Sequence, residues 1–136
     1  MSNLQGRKIL VVDDEPFMRT TIKAVLRVID HFVVAEADDG DTALGVLAEF
    51  KPDVVLCDIA MPRMDGLEFV AQLRRHPDVA LRGTPVVMLT GHSREATVIA
   101  AVRLQINGYL IKPVSPKSLG ARLRDILTTC PTTTPT

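Results

Sequence analysis

Four short apolar runs in this chain each end at a polar or charged residue, and helix-like segments separate them. The runs and the residues that follow them are 9–12 with Asp13 and Asp14, 54–57 with Asp58, 86–89 with Thr90, and 109–111 with Lys112. Strand-like runs that alternate with helical periodicity favour βαβ units, in which helices cover both faces of a parallel sheet. The pattern therefore predicts an α/β fold with a five-stranded parallel sheet and five helices.

Apolar residues at helical spacing mark the predicted helices. The first helix follows Pro16, a favourable first helical residue, and carries an apolar stripe formed by Met18, Ile22, Val25 and Ile29. The others are predicted after Asp41, after Asp65 and Gly66, over 94–104, and from Ser115 and Pro116, where a serine cap precedes proline. After residue 104, Asn107 or Gly108 is predicted to take the left-handed conformation that ends a helix.

The polar residues that follow the runs are expected to meet at one edge of the sheet. Open parallel sheets bind ligands at the carboxyl ends of their strands, so three carboxylates, one hydroxyl and one ammonium would share a pocket there. Carboxylates held close together repel one another, and something positive must sit among them. Mg²⁺, before Ca²⁺, suits carboxylate oxygens supplemented by water and phosphate, and Lys112 would supply the remaining positive charge.

Four motifs that carry these residues resemble the receiver domain of bacterial two-component response regulators, in particular a single-domain regulator of the chemotaxis type. They are V-V-D-D-E at 11–15, K-P-D-V-V-L-C-D-I-A-M-P-R-M-D-G at 51–66, P-V-V-M-L-T at 85–90 and G-Y-L-I-K-P at 108–113. The resemblance runs from about residue 7 to about residue 127. It implies a flavodoxin-like sheet with the strand order 2-1-3-4-5.

The resemblance also implies the residues of a Mg²⁺ site and of a phosphoacceptor. Asp58 would accept a phosphoryl group from a phosphohistidine. Asp14 and Asp58 would bind Mg²⁺ directly and Asp13 through water, while Ala60 would add its main-chain carbonyl. Phosphoryl transfer depends mainly on positioning and charge neutralisation, and an aspartate carboxylate is a suitable covalent acceptor.

Three further residues receive roles from the same resemblance. Thr90 and Lys112 would contact the phosphoryl oxygens, and Thr90 and Tyr109 would change position on phosphorylation. Added phosphoryl charge draws nearby donors inward, which suits the Thr90 hydroxyl. The resemblance further implies a cis peptide bond before Pro113.

Composition limits the kinds of protein that this chain can be. Its 136 residues, 46% hydrophobic and 24% charged, predict one globular domain, which the resemblance implies is a receiver domain over 1–127, followed by a disordered Thr/Pro-rich tail over 128–136. Sixteen basic residues balance sixteen acidic ones, so direct nucleic-acid binding is not expected. Two cysteines, no signal peptide and no membrane-spanning run predict a cytoplasmic protein without membrane contact.

The predicted partners are proteins. A sensor histidine kinase or a histidine phosphotransfer protein would lie upstream, and an unknown protein target would lie downstream. The predicted helix over 94–104 is apolar on more than one face, which suggests a docking surface. The residues predicted for that surface are Val98, Val102, Ile111 and Arg122.

Other functions remain open from the sequence. A receiver-shaped adaptor that works without phosphorylation would keep the fold, and a Mg²⁺-dependent phosphohydrolase would use similar chemistry. An FMN-binding protein of similar fold would need a phosphate-binding loop after the first strand, where Asp13 and Asp14 would repel the cofactor. We favour the interpretation that the chain is a phosphorylation switch. Such a protein changes its affinity for a partner on phosphorylation and catalyses only its own phosphorylation and dephosphorylation.

Overall fold

A computed structural model describes residues 4–61, 64–91 and 105–129 of the chain. The helix predicted over 94–104, including Val98 and Val102, lies outside the described residues. Most of the predicted tail, residues 130–136, lies outside them as well.

Five parallel strands form one sheet, which confirms the predicted α/β fold. They are β1 (Lys8–Val12), β2 (Val33–Ala37), β3 (Val54–Asp58), β4 (Val86–Thr90) and β5 (Gly108–Ile111). Their spatial order is β2-β1-β3-β4-β5, with every neighbouring pair parallel. The order 2-1-3-4-5 is therefore confirmed.

Strand register brings the polar residues side by side. Val12 pairs with Cys57, so the next residue of each strand segment, Asp13 and Asp58, leaves the sheet at the same level. Asp58 in turn pairs with Leu89, and Thr90 pairs with Ile111. Asp13, Asp58 and Thr90 therefore lie together where the strands end, at the rim that we call the carboxyl edge of the sheet.

Five helices are described, and they differ from the predicted set at several positions. They are α1 (Pro16–Ile29), α2 (Gly40–Phe50), α3 (Gly66–Arg74), α4 (Val79–Arg82) and α5 (Pro116–Thr129). The single turn of α4 was not predicted. Helix α2 begins before Asp41, because Asp39 caps it by accepting a hydrogen bond from the Thr42 N–H at 2.8 Å.

The predicted serine cap of the last helix is confirmed, since the Ser118 N–H donates to Ser115 Oγ at 3.1 Å. This helix continues to Thr129, two residues beyond the predicted end of the domain.

The core has two apolar layers, one on each face of the sheet, as expected for helices on both faces. One layer joins alternate strand residues such as Ile9 and Leu56 to α1 and α5 through Ile22, Leu26, Leu119 and Leu123. The other joins Leu10 and Val55 to α2 and α3 through Leu47, Phe69 and Leu73. Two of the three interior strands, β3 and β4, are buried along their whole length. Polar side chains can therefore reach solvent or one another only where these strands end.

The connection into β5 corrects one prediction. Gln105 takes the left-handed conformation, with φ +60°, and Gly108 has φ +154°, whereas Asn107 does not have a positive φ. The amide of Asn107 is used differently, because the Val86 N–H donates to its Oδ1 at 2.9 Å. Its own N–H donates to the Val86 carbonyl at 2.8 Å, which fastens the start of β5 to the start of β4.

Candidate metal centre at the carboxyl edge

Three acids meet at the carboxyl edge of the sheet. One carboxylate oxygen of each of Asp13, Asp14 and Asp58 lies within 4.8 Å of the others. Asp13 is 1% exposed and Asp58 is 7% exposed, while Asp14 is partly buried. The structure therefore brings together the acids that the sequence placed after two separate strands.

Lys112 lies between two of these acids. Its Nζ is 3.1 Å from Asp13 Oδ2 and 3.2 Å from Asp58 Oδ1, and its side chain is 15% exposed. The peptide bond between Lys112 and Pro113 is cis, as the resemblance implied. The predicted inward direction of the lysine is thus observed.

The electrostatics of the site show that its acids are not fully compensated. Burial raises the pKa of Asp58 above its ordinary value, and this effect, aided by the Asp13 charge, outweighs Lys112 and a hydrogen bond from the Ala60 N–H. Burial lowers the pKa of Lys112, but the Asp58 and Asp13 carboxylates together raise it above its ordinary value. Lys112 therefore remains protonated at neutral pH.

A divalent cation fits this arrangement. When the three acids are ionised, Lys112 neutralises one of their charges and two negative charges remain. Mg²⁺ is typically bound through one or two carboxylates, keeps several waters and accepts phosphate oxygens. The donor set and the charge of the cluster both match a hard dication better than a second ammonium.

The main chain around Asp13 is tightly held. Asp13 donates its N–H to the Ala37 carbonyl at 3.1 Å, and its Oδ1 accepts from the Glu15 N–H at 3.0 Å. The Asp13 carbonyl accepts a hydrogen bond from Arg19 Nη1 at 2.6 Å. Sequence reasoning missed Arg19, whose place in α1 shows a basic residue near an acid pair but not the direction of its side chain.

Gly66 allows the first turn of α3 to approach the end of β3. A Cβ at this position would lie 2.2 Å from the Asp58 carbonyl oxygen and 2.9 Å from Ile59 Cα. The Gly66 N–H donates to the Ile59 carbonyl at 2.8 Å, and Asp65 caps α3 through the Glu68 N–H. The first turn of α3 therefore packs directly against the backbone of Asp58, which a glycine alone permits.

The remaining predicted residues lie around the rim of the site. Thr90 is 7% exposed at the end of β4, and its carbonyl accepts the Lys112 N–H at 2.7 Å. Tyr109 and Ile111 are exposed on one face of β5. Arg122 lies over Gly108, on the opposite face of β5. Ile111 and Arg122 therefore lie on opposite faces of β5, which is the last strand on this side of the sheet.

The described helices include none that is long and apolar enough to cross a bilayer. Of the two cysteines, Cys57 is within the described residues and is a buried free thiol. Burial, followed by the neighbouring Asp58 charge, raises its thiol pKa well above the ordinary value. Cys57 is thus a core residue of β3 rather than a reactive group.

Comparison with known proteins identifies relatives along most of the chain. The family described as the response regulator receiver domain matches residues 9–124. The chemotaxis protein CheY of Listeria monocytogenes is 40% identical over 106 residues, which cover 78% of this chain and 86% of that protein. The probable transcriptional regulator ycf27 of Guillardia theta is 40% identical over 120 residues, 88% of this chain but 45% of the relative.

Solved structures show the same similarity. Chemotaxis protein CheY4 of Vibrio cholerae has a TM-score of 0.81 and 30% sequence identity, and the match covers 89% of this chain and 98% of that chain. The present chain spans about half the length of several sequence relatives, including the proteins of Guillardia theta and Porphyridium aerugineum.

Proposed function

The chain belongs to the response regulator receiver domain family, and on that premise we propose that Asp58 is its phosphoacceptor. Receiver domains are phosphorylation switches of two-component systems, which take phosphoryl groups from histidine kinases and bind Mg²⁺ at a cluster of aspartates. The observation that supports the assignment is the position of Lys112 Nζ, 3.1 Å from Asp13 and 3.2 Å from Asp58, beside three clustered carboxylates.

Asp58 suits the acceptor role better than Asp13 because of its contacts. Both Asp13 carboxylate oxygens take hydrogen bonds, one from the Glu15 N–H and one from Lys112, and the residue is 1% exposed. The Asp58 side chain is 10% exposed at the rim and is contacted by Lys112 through Oδ1. An incoming phosphoryl group can therefore approach Asp58 with less rearrangement.

In the proposed reaction, a carboxylate oxygen of Asp58 forms a bond to phosphorus as the phosphorus–nitrogen bond of a donor phosphohistidine breaks. The leaving imidazole nitrogen keeps the electron pair of the broken bond. Charge spreads over the equatorial phosphoryl oxygens in such transfers. The Lys112 ammonium, adjacent to Asp58, and the Thr90 hydroxyl would contact these oxygens.

The proposed metal ligands are Asp14 and Asp58 directly, Asp13 through water, and the Ala60 main-chain carbonyl. Mg²⁺ bound there would supply charge neutralisation for the phosphoryl oxygens. In the absence of a separate substrate, the chain would catalyse only its own phosphorylation and dephosphorylation. Dephosphorylation is a separate step, in which water attacks the phosphorus, the bond from phosphorus to the Asp58 carboxylate oxygen breaks, and the Asp58 carboxylate and inorganic phosphate are released.

The proposed output is a change in affinity for a partner protein. Repositioning of Thr90 and Tyr109 on phosphorylation would alter the rim of β5, where Ile111 and Arg122 lie on opposite faces of the strand. Val98 and Val102, the other residues of the proposed surface, belong to the undescribed segment. The switch is a shift between two populations with different partner affinities.

The proposed cellular setting completes this assignment. A receiver domain over 1–127 would work in the cytoplasm with a histidine kinase or phosphotransfer protein upstream and a protein target downstream. Neither direct nucleic-acid binding nor membrane contact forms part of the proposal. No observation on the described residues favours the phosphorylation-independent adaptor or the phosphohydrolase.

A phosphorylation assay with intact mass measurement tests this function. Wild type incubated with Mg²⁺ and acetyl phosphate should gain one phosphoryl group, whereas Asp58→Asn should gain none. Asp53→Asn, at the other end of β3, is the matched control and should be modified as wild type is. A chelator should abolish the modification.

Two results would overturn the proposal. Modification of Asp58→Asn to the wild-type extent would place the acceptor elsewhere. A folded wild type that stays unmodified by acetyl phosphate and by phosphorylated histidine domains would favour the adaptor.

A further inference from the structure

Arg19 joins three parts of the fold directly behind the proposed metal site. Its Nη1 donates to the Asp13 carbonyl at 2.6 Å, and its Nε donates to Glu36 Oε1 at 3.0 Å. The side chain is 16% exposed. One guanidinium in α1 therefore holds both the end of β1 and a carboxylate of β2.

The Asp13 main chain is consequently fixed on both sides by β2. Its N–H donates to the carbonyl of Ala37, and its carbonyl accepts from the guanidinium that is paired with Glu36, the residue before Ala37. The Asp13 carbonyl belongs to the peptide group that links Asp13 to Asp14. A peptide group is planar and includes the Cα atoms on either side of it. A hydrogen bond to this carbonyl therefore orients the plane that contains the Cα atoms of both Asp13 and Asp14.

We propose that Arg19 is a positioning residue, which sets the affinity of the site for Mg²⁺ by fixing the peptide between Asp13 and Asp14. The inference rests on the proposed function, in which these two acids belong to the metal site. Arg19 would not touch the ion. It acts through the main chain, in the way that groups behind metal ligands orient those ligands.

Lys23 offers a matched control within the same ion-pair network. Its Nζ is 2.7 Å from Glu36 Oε2, one turn further along α1. The hydrogen bond from Lys23 makes the largest contribution to the pKa shift of the Glu36 carboxyl. Together with Arg19 it lowers that pKa, although burial acts to raise it. Both cations thus pair with one carboxylate, but Arg19 is the one of the two that reaches Asp13.

Comparing Arg19 with Lys23 separates an effect on ligand geometry from an effect of positive charge on Mg²⁺ binding. If Arg19 influenced the site only by its charge, removing it would reduce repulsion of a cation and tighten Mg²⁺ binding, as would removing Lys23. If Arg19 fixes the ligand geometry, its removal weakens binding. The two explanations predict changes of opposite sign for Arg19→Met.

The test measures the Mg²⁺ dissociation constant of the full chain by isothermal titration calorimetry. Arg19→Met should weaken binding about tenfold, at the lower end of the losses seen when a group that orients metal ligands is removed. Lys23→Met should bind Mg²⁺ as tightly as wild type or more tightly. At saturating Mg²⁺, the rate of phosphorylation of Arg19→Met by acetyl phosphate should return to the wild-type rate, which a general structural defect would not allow.

Unfolding in a chelator, followed by circular dichroism, shows whether each variant is folded before titration. If Arg19→Met does not fold, Arg19→Lys serves instead, because it keeps the charge but lacks the planar fork that spans a carbonyl and a carboxylate. Its dissociation constant should still be several-fold above wild type. Wild-type affinity in the folded Arg19 variant would overturn the proposal.

Asp13→Asn distinguishes this outcome from failure of the proposed function. Mg²⁺ binding that survives unchanged in Asp13→Asn would show that the metal site itself is wrongly assigned. Binding that is weakened in Asp13→Asn but unchanged in Arg19→Met would contradict only the role of Arg19.

Discussion

The two edges of the sheet treat their polar groups in different ways. At the amino edge, where the strands begin, side chains satisfy the main chain. Arg74 donates to the carbonyls of Arg82, Thr84 and Gln105 at 2.8–2.9 Å. The Asp53 carboxylate accepts the Lys8 N–H at 2.8 Å, which joins the starts of β1 and β3.

The carboxyl edge gathers charge instead of dispersing it. Three carboxylates share one ammonium, and burial raises the pKa of Asp58. A cluster of acids that one ammonium neutralises only in part is suited to binding an external cation. The amino edge therefore contributes stability, whereas the carboxyl edge sacrifices some stability to create a binding site, as is common at functional sites.

Gly66→Ala should give the largest effect, because it breaks the backbone packing that shapes the carboxyl edge. The new methyl group would lie 2.2 Å from the Asp58 carbonyl oxygen, so the loop must move. We expect a loss of about 3 kcal/mol in the free energy of unfolding, the upper end for overpacking. Denaturant titration measures it.

Gly45→Ala is the control for that substitution. Gly45 lies in α2, and a Cβ there would meet nothing within 4 Å. Alanine should stabilise the helix by about 0.5–1 kcal/mol. Equal effects at the two glycines would contradict the close approach of α3 to β3.

Arg74→Met tests the amino edge and should cost about 2 kcal/mol, since hydrogen bonds from a charged donor to three carbonyls are lost. Burial lowers the pKa of the Arg74 guanidinium, so its desolvation offsets part of what these bonds contribute. The control is Arg75→Met, at an exposed neighbouring position, with an expected change within about 0.5 kcal/mol. A loss at Arg74 no larger than at Arg75 would show that this edge is not held by its side chains.

Replacing one acid at each edge, Asp58 and Asp53, compares the two edges most directly, although we expect smaller changes in stability than for Gly66→Ala or Arg74→Met. Without Mg²⁺, Asp58→Asn should raise the free energy of unfolding by about 1 kcal/mol and Asp53→Asn should lower it by a similar amount, a typical size for single substitutions. The signs differ because burial disfavours the charge of Asp58 even beside Lys112, whereas Asp53 accepts a main-chain hydrogen bond. Matching signs would remove the distinction between the edges.

The pH dependence of stability independently checks the expected increase in the free energy of unfolding of Asp58→Asn. Its pKa in the folded protein is raised above the ordinary value of 3.8. Such a shift favours folding below the unfolded pKa, and this contribution is lost as the pH rises through the folded pKa. In the absence of Mg²⁺, wild type and Asp58→Asn should therefore have similar stability near pH 4 and diverge as the pH is raised to 7.

Much of the fold and of the candidate site could be predicted because it depends on local patterns. Buried parallel strands must be apolar along their length, so a charged residue after such a run marks a strand end. Asp13, Asp58, Thr90 and Lys112 were found in this way. Serine before proline likewise marked the start of α5.

Contacts between distant residues were not predictable in the same way. The left-handed residue after 104 was expected at Asn107 or Gly108, yet Gln105 adopts that conformation while the Asn107 amide bonds to Val86 in a neighbouring strand. Arg19, Arg74 and Gly66 carry no local signal of their partners. Each acts on a residue brought near by another element.

The sequence by itself located four of the five strands and the polar residues at their carboxyl ends, because apolar runs are a local property of the chain. The strand order came from the resemblance of the motifs to a known family, and β2 (Val33–Ala37) was placed only by the structure. Only the tertiary structure decided that Lys112 lies between Asp13 and Asp58, that Arg19 holds the Asp13 carbonyl, and that α3 packs against Asp58. These contacts depend on distances and directions between separate elements, which residue order does not encode in any short segment.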